Sequence, residues 1–391
     1  MSDVAELDVV RIVSDVNQVS GNSNFSTILS RDFYTSDKIF EEERKKVFSK
    51  QWLLGGHVSE LAKVGDFITQ TVCGEGVLIV RTSETEISGF LNVCRHRGHQ
   101  LCSAPKGNIR KITCPYHHWT YGLDGALRHV PSMLDGEVFE YKDWNLWPVH
   151  VEVFHGFVFY CIGESRPPAL ASRFPSIETD IAKFEATNLK IAARERYQIR
   201  TNWKILFENY LECYHCPGGH VTLCVTVDLP AMHTRTDEWQ EPYFSGQVPL
   251  KPGMKTLSVD GNLVAPPLGV YSNMAELPDS IGTGFGVFPV LTRVILHVDH
   301  VVSHTMRPIS FDQVEWETSW YVRGDAVEGI DYNPEVLKKP WDITNAEDKA
   351  FCESTFRGVS SHRFTPGPLN PDKESAIPAA LRAYLNMMRA A

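Results

Sequence analysis

The chain lacks any apolar run of membrane-spanning length, and its first residues, Met1-Ser2-Asp3-Val4-Ala5-Glu6, are acidic and polar. Neither a bilayer span nor a secretory leader is expected. It also lacks an excess of positive charge: 38 Lys and Arg stand against 48 Asp and Glu, a net charge of −10, which argues against a nucleic-acid footprint. Low-complexity tracts and internal repeats are missing. The nine cysteines are an odd number, and Cys73, Cys161 and Cys213 sit in core-like contexts. That pattern argues against a disulfide framework and predicts reduced thiols in a cytoplasmic protein. What is present is bulk: 391 residues, 43% hydrophobic, enough for two domains or one large one with a real core.

Cys94-Arg95-His96, followed after seventeen residues by Cys114-Pro115-Tyr116-His117, supplies one Cys and one His from each of two short loops. A [2Fe–2S] centre of the Rieske kind needs two thiolates on one iron and two imidazoles on the other. Zn2+ could take the same four side chains. Zinc sites, however, usually group like ligands as C-x2-4-C and H-x3-5-H, and each loop here is mixed. Gly98 lets the first loop turn tightly, and Pro115 fixes the backbone beside Cys114. Trp119 to Gly125 reads as a strand ending in an Asp-Gly turn. A Gly-rich strand–turn–helix for flavin or nicotinamide is missing, and so is a C-x4-C-x2-C ferredoxin run. Electrons must therefore come from a separate protein.

Along the chain, residues 1 to about 30 read as irregular, and Ser36 as the cap of a helix through Phe40, Val47 and Phe48, with Glu41 and Lys45 paired. From Trp52 to about 165 the pattern is short strands and turns, including Val77–Val80, Phe90–Val93 and Phe154–Cys161. Ser165-Arg166-Pro167-Pro168 reads as a linker. Beyond it the texture is α+β. Strands are predicted over 194–200, 294–305 and 314–322, helices over 202–214, 346–357 and 376–388, and a long loop region over 240–285.

A second constellation lies in Asn202 to His220. On a helix, Glu208, Glu212 and His215 share one face, and Pro217-Gly218-Gly219 must end that helix. His220 can then fold back beside His215, a natural start for a 2-His-1-carboxylate iron site. Alternatively, both are ordinary polar residues at a helix C-terminus, where His is favoured. The Rieske-type pattern tips the balance, because a cluster that delivers single electrons needs an acceptor.

The run Cys94-Arg95-His96-Arg97-Gly98 with Cys114-Pro115-Tyr116-His117-His118-Trp119 resembles the Rieske domain of the ring-hydroxylating oxygenase α subunits. The second segment matches that family's Asn-Trp-Lys-x3-Glu-Asn-x2-Glu-x-Tyr-His-x4-His position by position. The resemblance implies an α+β protein with three parts. These are an N-terminal helical segment (1–45) packing on the catalytic domain, an all-β Rieske [2Fe–2S] domain (46–165) and a helix-grip catalytic domain, an antiparallel sheet with a long helix (166–391). It implies a [2Fe–2S] cluster on Cys94, His96, Cys114 and His117, and mononuclear Fe(II) on His215, His220 and a downstream carboxylate. Asp348 takes that position, with Glu347 and Asp342 as rivals. Glu212 would be the carboxylate bridging to His117 of a neighbouring subunit. A homotrimer follows, with inter-subunit electron transfer, served by a separate flavin/iron–sulfur reductase or a ferredoxin, acting on O2 and a small-molecule substrate.

Residues 325–332, Trp341, 344–348, 358–361 and 366–368 resemble one subgroup: the demethylases and monooxygenases of glycine betaine, proline betaine, carnitine and choline. Oxidative N-demethylation with release of formaldehyde is the expected reaction. Ring hydroxylation of an aromatic carboxylate, and a non-catalytic Rieske electron carrier, are the alternatives. The chain departs from the subgroup in Gly219-His220-Val221-Thr222-Leu223-Cys224 and over about 225–290, which should line the pocket. Trp239, Tyr243, Phe244, Tyr271 and Phe285 could supply an aromatic cage for a quaternary ammonium, or serve as core and loop anchors.

Overall fold

The computed structural model describes residues 26–132, 139–175, 178–231, 243–277, 282–287 and 292–389. Two compact units divide the chain: Trp52–Leu170, and the residues up to Gln51 together with those from Ala171 onward.

In the unit Trp52–Leu170, ten short strands form two antiparallel sheets. The strands are β1 (Leu53–His57), β2 (Asp66–Val72), β3 (Glu75–Arg81), β4 (Ile87–Leu91), β5 (Lys106–Asn108), β6 (Ile112–Thr113), β7 (Thr120–Tyr121), β8 (Leu127–His129), β9 (Pro148–Phe154) and β10 (Phe157–Cys161). Seven run in the order β1-β10-β9-β4-β3-β2-β5, and β6-β7-β8 form a small second sheet. Val77 to Val80 are buried on both faces of β3, as an unbroken apolar run requires. The segment 154–161 is a hairpin end rather than one strand. His155 and Gly156 both have positive φ, 47° and 87°, the two-residue turn that matches strand twist. The expected linker is also packed: Trp52 Nε1 donates to Pro168 O at 2.9 Å, and the Arg166 guanidinium lies 5.0 Å from the Trp52 ring.

The other unit centres on a six-stranded antiparallel sheet of β11 (Leu189–Ile199), β12 (Tyr243–Gln247), β13 (Gly282–Val287), β14 (Thr292–His297), β15 (Val301–Ser310) and β16 (Gln313–Arg323), ordered β11-β16-β15-β14-β13-β12. The helices that matter here are α1 (Asp37–Lys46), α2 (Trp203–Tyr210), α3 (Pro334–Val359) and α4 (Ala376–Arg389). Ser36 caps α1 as expected, accepting from Ile39 N–H, but Glu41 pairs with Arg44 rather than Lys45, and Lys45 pairs with Glu42. α3 starts twelve residues before its predicted start. Pro334 occupies the first turn, where a missing N–H costs nothing, and Asn333 caps it. Leu337 and Trp341 of α3 pack with Ile295, Val302 and Trp320 of the sheet. The expected loop region 240–285 contributes the edge strand β12 and part of β13.

A buried carboxylate ties three helices together. Glu43 of α1 accepts from Lys204 Nζ at 2.5 Å and Trp203 Nε1 at 2.8 Å on α2, and from Tyr384 Oη at 2.6 Å on α4. Burial opposes charge on Lys204 and pushes its pKa down, so the Glu43 carboxylate is what makes an ammonium tolerable there. Among the described residues no helix is long and apolar enough to cross a membrane.

Two candidate metal centres

The loops Cys94–His99 and Cys114–Trp119 are built alike. In each, the Cys N–H donates to the carbonyl five residues on: Cys94 to His99 O at 2.8 Å and Cys114 to Trp119 O at 2.9 Å. In each, the Cys carbonyl accepts from the residue four on, Gly98 or His118, both at 3.0 Å. Those two residues share a left-handed backbone, φ 74° and 59°. Glycine adopts that conformation freely; His118 does so at a cost of about 1 kcal/mol. Cys94 and Cys114 are 3% and 2% exposed, set in a core with Leu78, Phe90, Ile112 and Tyr121, while His96 reaches the surface and His117 is half-buried.

The two imidazole centroids lie 4.6 Å apart, and His96 stacks on Trp119 at 4.9 Å. A cleft of 390 Å³ opens on these two rings and Trp119. Burial, with the neighbouring Cys94 thiol, raises the Cys114 pKa. The Cys114 thiol thus sits where a cation would favour its ionised form, and His117 Nδ1 is a buried ring nitrogen with no partner. This donor set, sulfurs inside and imidazoles outside, fits a Rieske cluster.

The second centre starts where α2 ends. The helix stops at Tyr210 rather than running to residue 214, because Glu212 folds its carboxylate back and accepts from the N–H groups of Tyr214 and His215. Glu208 therefore does not share a site face with Glu212. It is buried, accepts from Tyr34 Oη at 2.7 Å, and burial pushes its pKa up to about 8. Cys216–Gly219 then makes a single helical turn that Pro217 opens rather than ends. A Cβ on Gly219 would come within 2.8 Å of the Phe351 ring, so the loop passes close under that side chain.

This path brings His215 Nε2 to 3.0 Å from His220 Nε2, and Asp348 Oδ1 to 3.0 Å from His220 Nε2 and 3.5 Å from His215 Nε2. The outer nitrogens are held by other carboxylates: His215 Nδ1 lies 2.5 Å from Glu212 Oε1, and His220 Nδ1 lies 2.8 Å from Glu347 Oε2. Of the rival acids, Glu347 thus orients an imidazole, while Asp342 accepts from Tyr197 Oη at 2.6 Å, elsewhere on α3. Burial disfavours charge on His215, yet Asp348 and Glu212 outweigh it and push its pKa up to about 9. Burial likewise opposes the Asp348 carboxylate, but the two imidazoles hold its pKa low. Two imidazole nitrogens and one carboxylate oxygen converging on a point, with carboxylates behind both rings, fit a facial 2-His-1-carboxylate iron site.

The sequence reading missed the tether on His220 and two neighbours of the site. Asn209 Nδ2 comes within 3.4 Å of His215 Nε2, and Phe351 faces both imidazoles at 6.0 and 6.1 Å. Cys213 and Cys216 form a disulfide, contrary to the expectation of reduced thiols: a Cys-x2-Cys step across a tight turn sets their Cα atoms 4.8 Å apart, within bonding range. Cys216 lies within 4.8 Å of both histidine donors but, so joined, offers no thiolate. Of the five candidate cage aromatics, Tyr271 packs on Phe184 and Phe285 on Phe174, each at 5.2 Å, as core anchors. Trp239 lies outside the described residues.

Comparison with known proteins agrees with this geometry. Residues 51–142 match the Rieske [2Fe-2S] domain, and residues 186–390 match the catalytic domain of the ring hydroxylating alpha subunit. The chain is similar to the glycine betaine monooxygenase oxygenase subunit of Pseudomonas aeruginosa, 31% identical over 92% of this chain and 89% of that protein. It is also similar to the carnitine monooxygenase oxygenase subunit of Acinetobacter pittii, 36% identical over 57% of this chain and 60% of that one. Among solved structures it resembles the quaternary ammonium Rieske monooxygenase CntA in complex with L-carnitine, with TM-score 0.75 and 25% identity over 93% of this chain and 96% of that one. A Rieske cluster and a mononuclear iron are the cofactors these two domains carry. The chain belongs to the Rieske ring-hydroxylating oxygenase α-subunit family and is the oxygenase component of a Rieske oxygenase, an oxidoreductase.

Proposed function

We propose that this protein hydroxylates an N-methyl group of a betaine-type quaternary ammonium compound, giving a carbinol that loses formaldehyde. The observation that carries the reading is the 31% identity to a glycine betaine monooxygenase oxygenase subunit across nearly the whole chain. Cys94, His96, Cys114 and His117 would hold the cluster, and His215, His220 and Asp348 the iron. An iron held there would supply the chemistry of O2 reduction; overall, one oxygen would enter the C–H bond and the other would leave as water, with two electrons and two protons consumed.

The chain's own residues set the geometry. Glu212 and Glu347, at the Nδ1 atoms, fix the imidazole orientations so that both Nε2 atoms face inward. Glu212 is also our candidate for the carboxylate that meets His117 of a neighbouring subunit in a homotrimer. A solved quaternary ammonium Rieske monooxygenase, 25% identical, is described with inter-subunit electron transfer, which supports that reading. A separate reductase would supply the electrons. Seven of the nine cysteines lie outside the disulfide, which supports a cytoplasmic location.

The test is O2 uptake by the purified protein with a reductase, scored for formaldehyde, on glycine betaine and carnitine against an aromatic carboxylate. Coupled formaldehyde release from a betaine is expected. Coupled ring hydroxylation, or no coupled turnover of any betaine, would overturn the assignment.

A further inference from the structure

Arg293 is a cation without an acidic partner, inside the catalytic unit. It is half-buried on β14, and among the described residues no carboxylate comes within ion-pairing distance of it. Arg307, on the next strand, shows the contrast: it pairs with Glu315 and Glu317 at 3.3 and 3.4 Å. Its described neighbour is the Tyr210 side chain, and a partly desolvated guanidinium with no carboxylate opposite it is unfavourable unless something else completes it.

The neighbours of Arg293 are glycines on one side and aromatic rings on the other. Arg293 pairs across the sheet with Gly286 on one side and His304 on the other. A Cβ built on Gly284 would sit 3.8 Å from Arg293 Nε, so the side chain lies over a glycine. Gly284 pairs with Gly246 on β12, where a Cβ would meet nothing within 4 Å. Among the described residues, the glycines of β12 and β13 thus place no side chain beside the guanidinium.

On the other side the same space is walled by rings. The guanidinium lies 5.2 Å from the Tyr210 ring centroid. Tyr210 faces Trp316 at 5.2 Å and His304 at 5.4 Å, and Trp341 of α3 packs on His304 at 4.5 Å. His304 is wholly buried with Nε2 unpartnered, and Trp341 Nε1 and Asn345 Oδ1 are buried without partners too. Asn345 stands one helical turn before Asp348 on α3, and Tyr210 follows Asn209, which reaches His215. The ring-lined wall therefore runs from Arg293 toward the residues of the second metal centre.

We propose that Arg293 is a specificity-determining residue that binds the carboxylate of the substrate, with the substrate's other end held against the rings of Tyr210, His304, Trp316 and Trp341. The substrate class is a small compound bearing a carboxylate; for a betaine, the aromatic faces take the ammonium. This rests on the proposed function for the amine, but the carboxylate contact stands by itself.

The test is calorimetric titration of the iron-loaded protein, without reductant, using two matched pairs: glycine betaine with choline, and benzoate with benzyl alcohol. The wild type is expected to prefer glycine betaine over choline. Arg293→Gln should weaken glycine betaine binding by about 10- to 100-fold and choline by far less, with Arg293→Lys between. About three irons per chain and an unchanged thermal unfolding profile show that the catalytic unit of each variant is folded; if Arg293→Gln fails this, Arg293→Lys carries the comparison. Equal losses within a pair, or no loss, overturn the role of Arg293 while leaving N-methyl oxidation intact if formaldehyde release persists. Preference for benzoate alone, erased in the variant, supports Arg293 and overturns the amine reading. A wild type that prefers neither carboxylate overturns both.

Discussion

The two metal centres are framed in opposite ways. In the β-rich unit, the loops carrying Cys94, His96, Cys114 and His117 are held by matched backbone hydrogen bonds, and among the described residues no carboxylate contact holds their side chains. In the catalytic unit, His215, His220 and Asp348 come from a broken helix end and from a helix more than a hundred residues later. There, other carboxylates hold the two imidazoles: Glu212 and Glu347. Backbone framing is local and tolerant of side-chain change. Side-chain framing is long-range, depends on charge, and is exposed to single substitutions and to pH.

Five changes probe that contrast. His220→Ala should abolish turnover by at least about 10³-fold while the Rieske spectrum persists, checked by O2 uptake and visible absorbance. Glu43→Ala should cost about 3–5 kcal/mol in denaturant unfolding of the catalytic unit, because it strands the buried Lys204 ammonium.

Acid should act through Glu317. Burial alone would raise its pKa, but Arg307, Arg194 and Arg196 hold it at about 2, below the ordinary 4.5. A depressed carboxylate stabilises the fold above pH 4.5, and that contribution, on the order of 3 kcal/mol, is lost as pH falls from about 4.5 toward 2. Glu317→Gln should flatten the stability–pH curve across that window and lower stability at neutral pH. Glu347→Gln, keeping the side chain's shape but not its charge, should weaken iron binding by about 10- to 100-fold, read by chelator competition. The smallest effect is expected in the first loop. Gly98→Ala meets no neighbour within 4 Å, so only its left-handed backbone resists, at about 1 kcal/mol in thermal unfolding.

The same contrast decides what the sequence reveals. Cys94 to His117 is a compact stretch whose loop geometry follows from neighbours five residues away, so its pattern could be read directly. The α+β class, with β-rich and sheet-plus-helix parts, was legible for the same reason. The end of α2 was not, because Glu212 interrupts the helix through its own side chain. The early start of α3 runs against two prolines, which ordinarily disfavour a helix interior: Pro334 opens this helix and Pro340 lies within it. Spacing could not separate Glu347 from Asp348; only the fold shows one on His220 Nδ1 and the other on Nε2. The ring cluster near Arg293 was invisible because Tyr210, His304, Trp316 and Trp341 meet only through strand register and helix packing.

Iron and acid-labile sulfide, measured per chain in the wild type and in Asp348→Ala, test the two-centre account most directly. About three irons and two sulfides are expected in the wild type, and about two of each in the variant, with its Rieske absorbance unchanged. Three irons retained in the variant, or a cluster lost with the third iron, would contradict it.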